Sequence, residues 1–310
     1  MRALVARRLE GPDSLELIET PLPEPGRGQV RIKVAAAAIN PVDVLIATGD
    51  LVRYGIAVPR EQFGIGWDVA GVIDATGPGV ELAVGTPVVG LADLLARSLK
   101  THAEYVVLNA DAIAVVPEGL DFVKASTIPL NALTAMKAIR RLQLAPGGTV
   151  LVTGAAGGVG GFAVELAKHF GQTVIATAGE QDEDYVRRIG ADHFVSRTDD
   201  LIAAVHAIVP AGVDALVDAA VLELAAQEAV RSGGQHAHLL VAAKPPALRG
   251  ITVHQIAVHA DGAELAELVR LAAAGVLSTP VAGTYSLEDA ATAYKRLAKG
   301  GVRGRLVLIP

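Results

Sequence analysis

The sequence predicts an α/β protein in two parts: a mostly β opening stretch, then alternating strands and helices forming a doubly wound parallel sheet. Three observations carry this. Short apolar runs punctuated by Gly and Pro fill residues 1–118. After Pro117-Glu118-Gly119 the pattern changes to helix-length stretches between apolar strands. The composition, 51% hydrophobic with 33 Gly and only 4% aromatic residues, is that of an Ala/Val/Leu-rich α/β core. At 310 residues the chain exceeds the size at which one core stops growing, so two domains are expected.

The opening strands are Ala3-Leu4-Val5-Ala6, Leu15-Glu16-Leu17-Ile18 and Val30-Arg31-Ile32-Lys33-Val34, separated by Gly11-Pro12-Asp13 and the segment Pro21 to Gly26. Gly and Pro at such spacing mark turns of antiparallel β structure. Trp67 to Ile73, Pro87 to Gly90 and Ala103 to Val107 continue the pattern. Phe122 to Ile128 and Ala132 to Leu142 are expected helices. Six strands follow at βαβ spacing: Thr149–Thr153, Thr173–Thr177, His193–Ser196, Ala215–Asp218, Ala237–Val241 and Val253–Val258. Strands alternating with helices in this way form parallel units with right-handed crossovers. Helices are then expected at Gly262 to Ala274 and Ser286 to Ala298, with a last strand at Gly304 to Ile309. That strand lacks a βαβ partner and is assigned to the first part, giving 1–118 with 285–310, and 119–284.

Composition also excludes function classes. The net charge is -6 with scattered basic residues, so no nucleic-acid partner is expected. Without Cys, disulfides, thiolate zinc sites and thiol nucleophiles are ruled out. Met1 to Leu9 carries three Arg with no apolar region after them, and no run approaches the ~20 residues of a membrane span. No signal peptide and no membrane partner are expected, and the cytoplasm is the expected location.

The strongest motif follows the strand Val150-Leu151-Val152-Thr153: Gly154, Ala155, Ala156, Gly157, Gly158, Val159, Gly160 and Gly161, with a helix from Phe162. Glycines there permit a tight turn and close approach to a pyrophosphate, which the N–H groups and dipole of the next helix stabilise. Ala155 breaks the strict GxGxxG fingerprint, but the spaced set Gly154, Gly157, Gly160 holds. This is a Rossmann dinucleotide turn. Thr177 and Gly179 at the tip of the second strand, with Asp218 and Val241 at the ends of the fourth and fifth, complete the expected cofactor contacts. No acid ends the second strand to bond a ribose 2′-OH, which leaves room for a 2′-phosphate and favours NADPH over NADH. Against this, Glu180-Gln181-Asp182-Glu183-Asp184 would repel that phosphate unless Arg187 or Arg188 turns inward.

Over nearly its whole length the chain resembles the medium-chain dehydrogenase/reductase superfamily, in its zinc-free quinone oxidoreductase and enoyl reductase branch. The resemblance rests on Ala38 to Asp43, Gly66-Trp67-Asp68-Val69-Ala70-Gly71, Ala103 to Val107, Leu133-Thr134-Ala135, Thr153 to Gly161, Gly190-Ala191-Asp192 and Arg303 to Leu308. It implies a GroES-like catalytic domain beside the Rossmann domain, and a homodimer paired through the run Ile251 to Val258. The implied reaction transfers hydride from nicotinamide to a quinone or an α,β-unsaturated carbonyl. Asn40 and Trp67-Asp68 stand where zinc-dependent relatives carry a Cys and a His-Glu pair, so no zinc is expected.

The candidate catalytic residues are Asn40, Asp43 and Thr134. The first two are equally read as turn formers before a helix, and Thr134 as a helix Thr bonded to its own backbone. Tyr54 and Trp67 are candidates for a flat acceptor's pocket, with core packing the competing role of Trp67. His236 and His238 share a strand face but have no evident third metal ligand, so no metal is assigned. One departure from the family pattern follows the fourth strand, where Asp218-Ala219-Ala220-Val221-Leu222 replaces Asp-x-Val-Gly-Gly. It keeps two alternatives open, a redox-neutral cyclase or lyase and a redox-inactive dinucleotide-binding protein on the same fold.

Overall fold

The computed structural model describes residues 1–239 and 244–310. Aliphatic residues make up most of the opening strands β1 (Arg2–Ala6), β2 (Leu15–Glu19) and β3 (Gln29–Ala38). Helices α1 (Pro41–Ala47) and α2 (Asp50–Arg53) follow, then β4 (Phe63–Gly64), β5 (Asp68–Thr76), β6 (Pro87–Leu91), β7 (Tyr105–Asn109), β8 (Ile113–Val115) and helix α3 (Phe122–Ala125). Helix α4 (Pro129–Leu142) leads to β9 (Thr149–Thr153), α5 (Gly158–His169), β10 (Thr173–Ala178), α6 (Glu183–Arg188), β11 (His193–Ser196), α7 (Leu201–Ile208) and β12 (Val213–Asp218). After α8 (Leu224–Gln227) come β13 (Val230–His238), β14 (Thr252–Gln255), α9 (Gly262–Ala273), β15 (Val281–Ser286), α10 (Ala290–Lys299) and β16 (Arg305–Ile309).

The residues group into two units, Met1–Leu130 with His259–Gly275 and Thr279–Pro310, and Asn131–Val258 with Val276–Ser278. Relative to the sequence reading, residues 119–130, 259–275 with helix α9, and 279–284 fall in the first unit. The reason for α9 is local: a Cβ on Gly262 would lie 2.4 Å from the Ile113 carbonyl oxygen, so the start of the helix is pressed against the end of β8. The first unit holds a small sheet ordered β2-β1-β4 and a larger one ordered β15-β16-β3-β5-β6-β8, with β7 also on β3. Leu4, Ile39, Ile46, Phe63, Ile65, Tyr294, Leu306 and Leu308 belong to one buried cluster of this unit.

The second unit is a wholly parallel sheet in the order β11-β10-β9-β12-β13-β14, the doubly wound Rossmann arrangement. Its strands carry near-continuous apolar runs because helices cover both faces of such sheets. Strand β13 begins at Val230, well before the expected Ala237. Its Ser232-Gly233-Gly234 reads locally as a turn, yet a Cβ on Gly234 would lie 2.7 Å from the Asp214 carbonyl oxygen, so glycine there lets two backbones approach. The last strand returns to the first unit by pairing antiparallel with β3. It does have a parallel partner, β15, reached through α10; Ser286 therefore ends a strand, and the helix starts at Ala290.

Helix α5 buries Glu165, one oxygen of which accepts the Ser278 N–H at 2.9 Å. Burial pushes this carboxyl up to about 7. A carboxyl raised in the folded state supports stability in full below its unfolded range, near 4.5, and loses that support as pH rises to about 7. Glu165→Gln is expected to match the wild type near pH 4 and to be more stable at pH 8, by up to about 3 kcal/mol. Urea denaturation at the two pH values measures the difference.

Candidate active site

In the first unit two glycines decide the local packing. A Cβ on Gly64 would sit 2.7 Å from the Lys100 backbone nitrogen, and one on Gly66 would sit 2.3 Å from Thr101 Oγ1. Gly66 also has φ +101°, a conformation side chains rarely adopt. Residues 64–67 therefore lie against 99–102, and the Lys100 ammonium comes to rest 3.9 Å from the centroid of the Trp67 ring. Lys100 is 1% exposed and its Nζ has no hydrogen-bond partner among the described residues. The same is true of Trp67 Nε1 and Thr101 Oγ1.

Beside this pair lies a fully buried polar network. Asp43, in the first turn of α1, accepts the Asn40 N–H at 2.8 Å and the Gly66 N–H at 2.9 Å. Asn40 Nδ2 donates to Asp68 at 2.9 Å, while its Oδ1 accepts from Arg305 at 2.6 Å. Arg305 also donates to the Ile39 carbonyl at 2.9 Å and approaches Asp68 at 3.4 Å, and the Leu130 N–H completes Asp68 at 2.7 Å. Burial lifts Asp43 and Asp68 to about 6, opposed by Lys100 at Asp43 and by Arg305 at Asp68. Burial lowers Lys100 to about 7, opposed chiefly by Asp43. His102, held between Tyr294 and the Ala38 carbonyl at 2.8 and 3.3 Å, is kept neutral by burial, its value pushed to about 3.

This cluster does not suit the zinc of zinc-dependent relatives. Both polar groups of Asn40 are engaged, Trp67 offers no lone pair, and the two carboxylates already face two buried cations. A divalent ion would meet Lys100 and Arg305 as like charges.

In the second unit, β9 runs into the Gly-rich turn. Gly154 has φ +62°, and a Cβ on Gly160 would lie 2.2 Å from the Gly154 carbonyl oxygen, so these two glycines serve the turn and the close helix contact. Gly157 is exposed, and a Cβ there would meet only the Gly154 oxygen, at 3.2 Å. The first turn of α5 carries no side-chain cap. The Gly157 N–H closes the turn on the Gly154 carbonyl at 2.9 Å, and Gly158 and Val159 follow at the uncapped N-terminus of a twelve-residue helix, which fits a pyrophosphate. Ala155 donates its N–H to the Thr177 carbonyl at 2.9 Å, binding the turn to β10; Ala156 lies between.

Asp218 accepts from Thr153 Oγ1 at 2.6 Å, Leu222 N–H at 3.0 Å and Glu223 N–H at 2.7 Å. Its carboxylate is a clamp for the loop 219–223, a role the sequence reading had not given it. The loop abuts the dinucleotide turn, since a Cβ on Gly154 would lie 3.2 Å from Ala220 N. Two of its side-chain-bearing residues, Val221 and Glu223, have φ +56° and +53°. For a β-branched residue this is an outlier. Val221 stands at the first glycine position of the family pattern and adopts a left-handed conformation that glycine takes without strain.

At the tip of β10, Gly179 is followed by the acidic stretch, of which Glu180 and Asp184 are exposed. Arg187 pairs with Glu183 on its own helix at 2.7 Å and so offsets one of the four acidic charges, while Arg188 stacks on Tyr185. Arg197, just after β11, instead donates its N–H to the Ala178 carbonyl at 2.8 Å, and its side chain is exposed. Its register beside Ala178 comes only from strand pairing.

Of the predicted residues, the fold brings Asn40 and Asp43 into one network with Asp68, and sets Trp67 against Lys100. Tyr54, 62% exposed at the end of α2, stands outside it. Thr134 lies buried in α4 of the second unit, and Val241 lies outside the described residues. His236 and His238 are buried on β13, with His236 Nδ1 3.2 Å from Gln227 Nε2. Among the described residues no three His, Cys, Asp or Glu side chains are placed to hold a metal. The reading missed Lys100, His102 and Arg305; their only sequence signals are a Lys and a His in a short polar stretch and an Arg opening an apolar strand.

Residues 26–118 match the family described as alcohol dehydrogenase GroES-like domain, and 189–308 that described as zinc-binding dehydrogenase. The chain is 34% identical over 310 residues to the pikromycin polyketide synthase component PikAII of Streptomyces venezuelae; the match covers 94% of the chain but only 8% of that protein. It is 30% identical over 322 residues to the chloroplastic NADPH-dependent alkenal/one oxidoreductase of Arabidopsis thaliana, covering 100% of the chain and 80% of the relative. The solved quinone oxidoreductase of Coxiella burnetii superposes with a TM-score of 0.87 at 27% identity, over 100% and 99% of the two chains. Fold and site define an oxidoreductase built on a Rossmann unit and a GroES-like unit. The chain belongs to the medium-chain dehydrogenase/reductase superfamily, in its quinone oxidoreductase and enoyl reductase branch.

Left-handed backbone costs a non-glycine residue ~1–2 kcal/mol, partly offset by the ~0.5–1 kcal/mol that glycine loses in chain entropy. Val221→Gly is therefore expected to stabilise the protein by about 1 kcal/mol, a rise of about 2–4 °C in Tm by scanning calorimetry. An unchanged or lower Tm contradicts strain at this position.

Proposed function

We propose that this chain is a zinc-independent, NADPH-preferring reductase of quinones or α,β-unsaturated carbonyl compounds. The observation that carries the reading is the uncapped helix N-terminus at Gly158 and Val159, after the Gly-rich turn of a Rossmann sheet, in a chain whose first unit carries Asn40 and Trp67 but no thiolate. When bound, a reduced nicotinamide supplies the hydride for a conjugated acceptor that polarises through its own carbonyl. Protein residues have the tasks of binding and orientation. The Gly154–Gly160 turn takes the pyrophosphate, Asn40 is fixed by Asp68 and Arg305, and the Trp67 indole offers an aromatic surface to a flat acceptor. The names of the plant and Coxiella relatives agree with both acceptor classes. The decisive assay follows NADPH and NADH oxidation with a panel of quinones and enones; absence of turnover with every acceptor defeats the proposal.

The preference for NADPH draws its support from Arg197, which forms no ion pair among the described residues and stands next to the tip of β10. A charge-assisted contact of ~1.5–3 kcal/mol corresponds to roughly ten- to hundredfold in affinity. Arg197→Ala is expected to weaken NADPH binding at least tenfold while changing NADH binding less than twofold, as read by nicotinamide fluorescence titration. Equal losses for both cofactors rule out the phosphate contact. A homodimer is part of the proposal, because β14 ends the six-stranded sheet and has only β13 as neighbour. Light scattering is expected to return twice the chain mass, and a monomer at working concentration counts against it. A cytoplasmic location completes the reading; no described helix is long and apolar enough to cross a membrane.

A further inference from the structure

Lys100 has no task in the reductase reading, yet it is among the largest fully buried side chains of the protein. Its ammonium lies 3.9 Å from the Trp67 ring centroid, within cation–π range, and has no hydrogen-bond partner among the described residues. An unpaired buried polar group costs ~1–3 kcal/mol, more for a charged one, so a lysine placed this way calls for a reason beyond packing. Leu or Met would fill the volume without that cost. Trp67 Nε1 and Thr101 Oγ1, on the two segments joined at Gly64 and Gly66, are likewise buried and unpartnered.

The charges around it come from every side of the first unit. Asp43 of α1 and Asp68 of β5 attract the ammonium, as does Asp93 after β6, while Arg97 repels it. His102, two residues on, is further depressed by it, and Arg305 of β16 faces the same two carboxylates from the other partner of Asn40. Lys100 and Arg305 thus balance Asp43 and Asp68. Removing one positive charge leaves the pair of carboxylates under-compensated and loosens the contacts that fix Asn40 and Gly66.

We propose that Lys100 is a positioning residue of the acceptor site, whose positive charge holds the Trp67 indole and the Asn40–Asp68–Arg305 clamp in the geometry that accepts substrate. The inference rests on the reductase reading for its catalytic half, and on geometry alone for its structural half. Burial brings the loss of the Lys100 proton down to about pH 7, within reach of an ordinary titration. Asp43 and Asp68 ionise at about 6, so the four charges stand together between that value and about 7; at higher pH the ammonium becomes an amine, and the contact with the indole and the clamp both weaken.

The protein has one tryptophan, so its emission reports this contact directly. Three forms are compared from about pH 6.5, above the value at which Asp43 and Asp68 ionise, to about pH 9: wild type, Lys100→Met and Lys100→Arg. Wild-type emission is expected to change in a single step near neutral pH, the step being absent in both variants, in Met because there is no charge and in Arg because the charge does not titrate. In NADPH oxidation with an enone or quinone, wild-type kcat/KM is expected to fall about tenfold across the same step. Lys100→Met is expected to show the low value throughout, with the loss mainly in acceptor KM, and Lys100→Arg to recover most of the activity without the alkaline fall. A flat wild-type emission, the same step in Lys100→Met, or parallel pH profiles for wild type and Lys100→Met overturns the proposal. If the emission step behaves as expected but wild type reduces no acceptor, the reductase reading fails and takes the catalytic half with it. If wild type turns over while its indole does not titrate, this inference fails alone.

Discussion

The first unit depends on a balance of four buried charges. Asp43 and Asp68 are removed from water at the start of α1 and of β5, and each would be neutral if it stood alone in an apolar interior. Arg305 and Lys100 make those positions tenable, and Asn40 links the system by using one end of its amide on Asp68 and the other on Arg305. The contacts close loops of 28 and 265 residues respectively, so the terminal strand β16 and the turn before α1 are locked together by hydrogen bonds as well as by sheet pairing. Buried ion pairs of this kind add little net stability compared with apolar packing, but losing one partner is expensive. Their effect is to specify one arrangement.

That arrangement answers a question of chemistry. A site that holds a metal must present free lone pairs and uncompensated negative charge to it; here the amide is engaged, the indole offers no lone pair, and the two carboxylates already face two cations. Hydride chemistry with a conjugated acceptor makes no demand for a Lewis acid, because the acceptor spreads the developing charge itself. In the second unit the glycines divide the work: Gly154 and Gly160 solve the geometry of the turn, and Gly157 keeps a side chain out of the space beside it. The neighbouring loop 219–223 is retained by Asp218 even though Val221 and Glu223 fit it poorly.

Much of the second unit was legible locally. Strands β9 and β11 fall where the apolar runs and their flanking turns put them, and the Gly-rich turn lies between β9 and α5 as its spacing requires. Strand β13 was misjudged in its extent because Ser232-Gly233-Gly234 has the composition of a turn, while its actual role is close backbone contact with β12. Strand β15 was missed because Val281-Ala282-Gly283-Thr284-Tyr285-Ser286 has weak alternation and gains its place from pairing with β16. Asn40 and Asp43, candidates in the sequence, lie in one network, where Asp43 accepts the Asn40 N–H as an acid three residues after a helix cap commonly does.

The sequence by itself determined the fold class, the dinucleotide turn and the absence of thiolate chemistry, because each is written in short-range spacing or in composition. It also placed the chain in its family, through motifs whose order survives without coordinates. Only the tertiary structure decided that Lys100 lies over Trp67, that Arg305 reaches Asn40, and that Arg197 flanks Ala178. Those contacts join residues 33, 265 and 19 positions apart through sheet register and the close packing at Gly64 and Gly66. Charge pairing at such separations leaves no periodic trace in a single chain, since it depends on which surfaces folding brings together and on how little water remains between them.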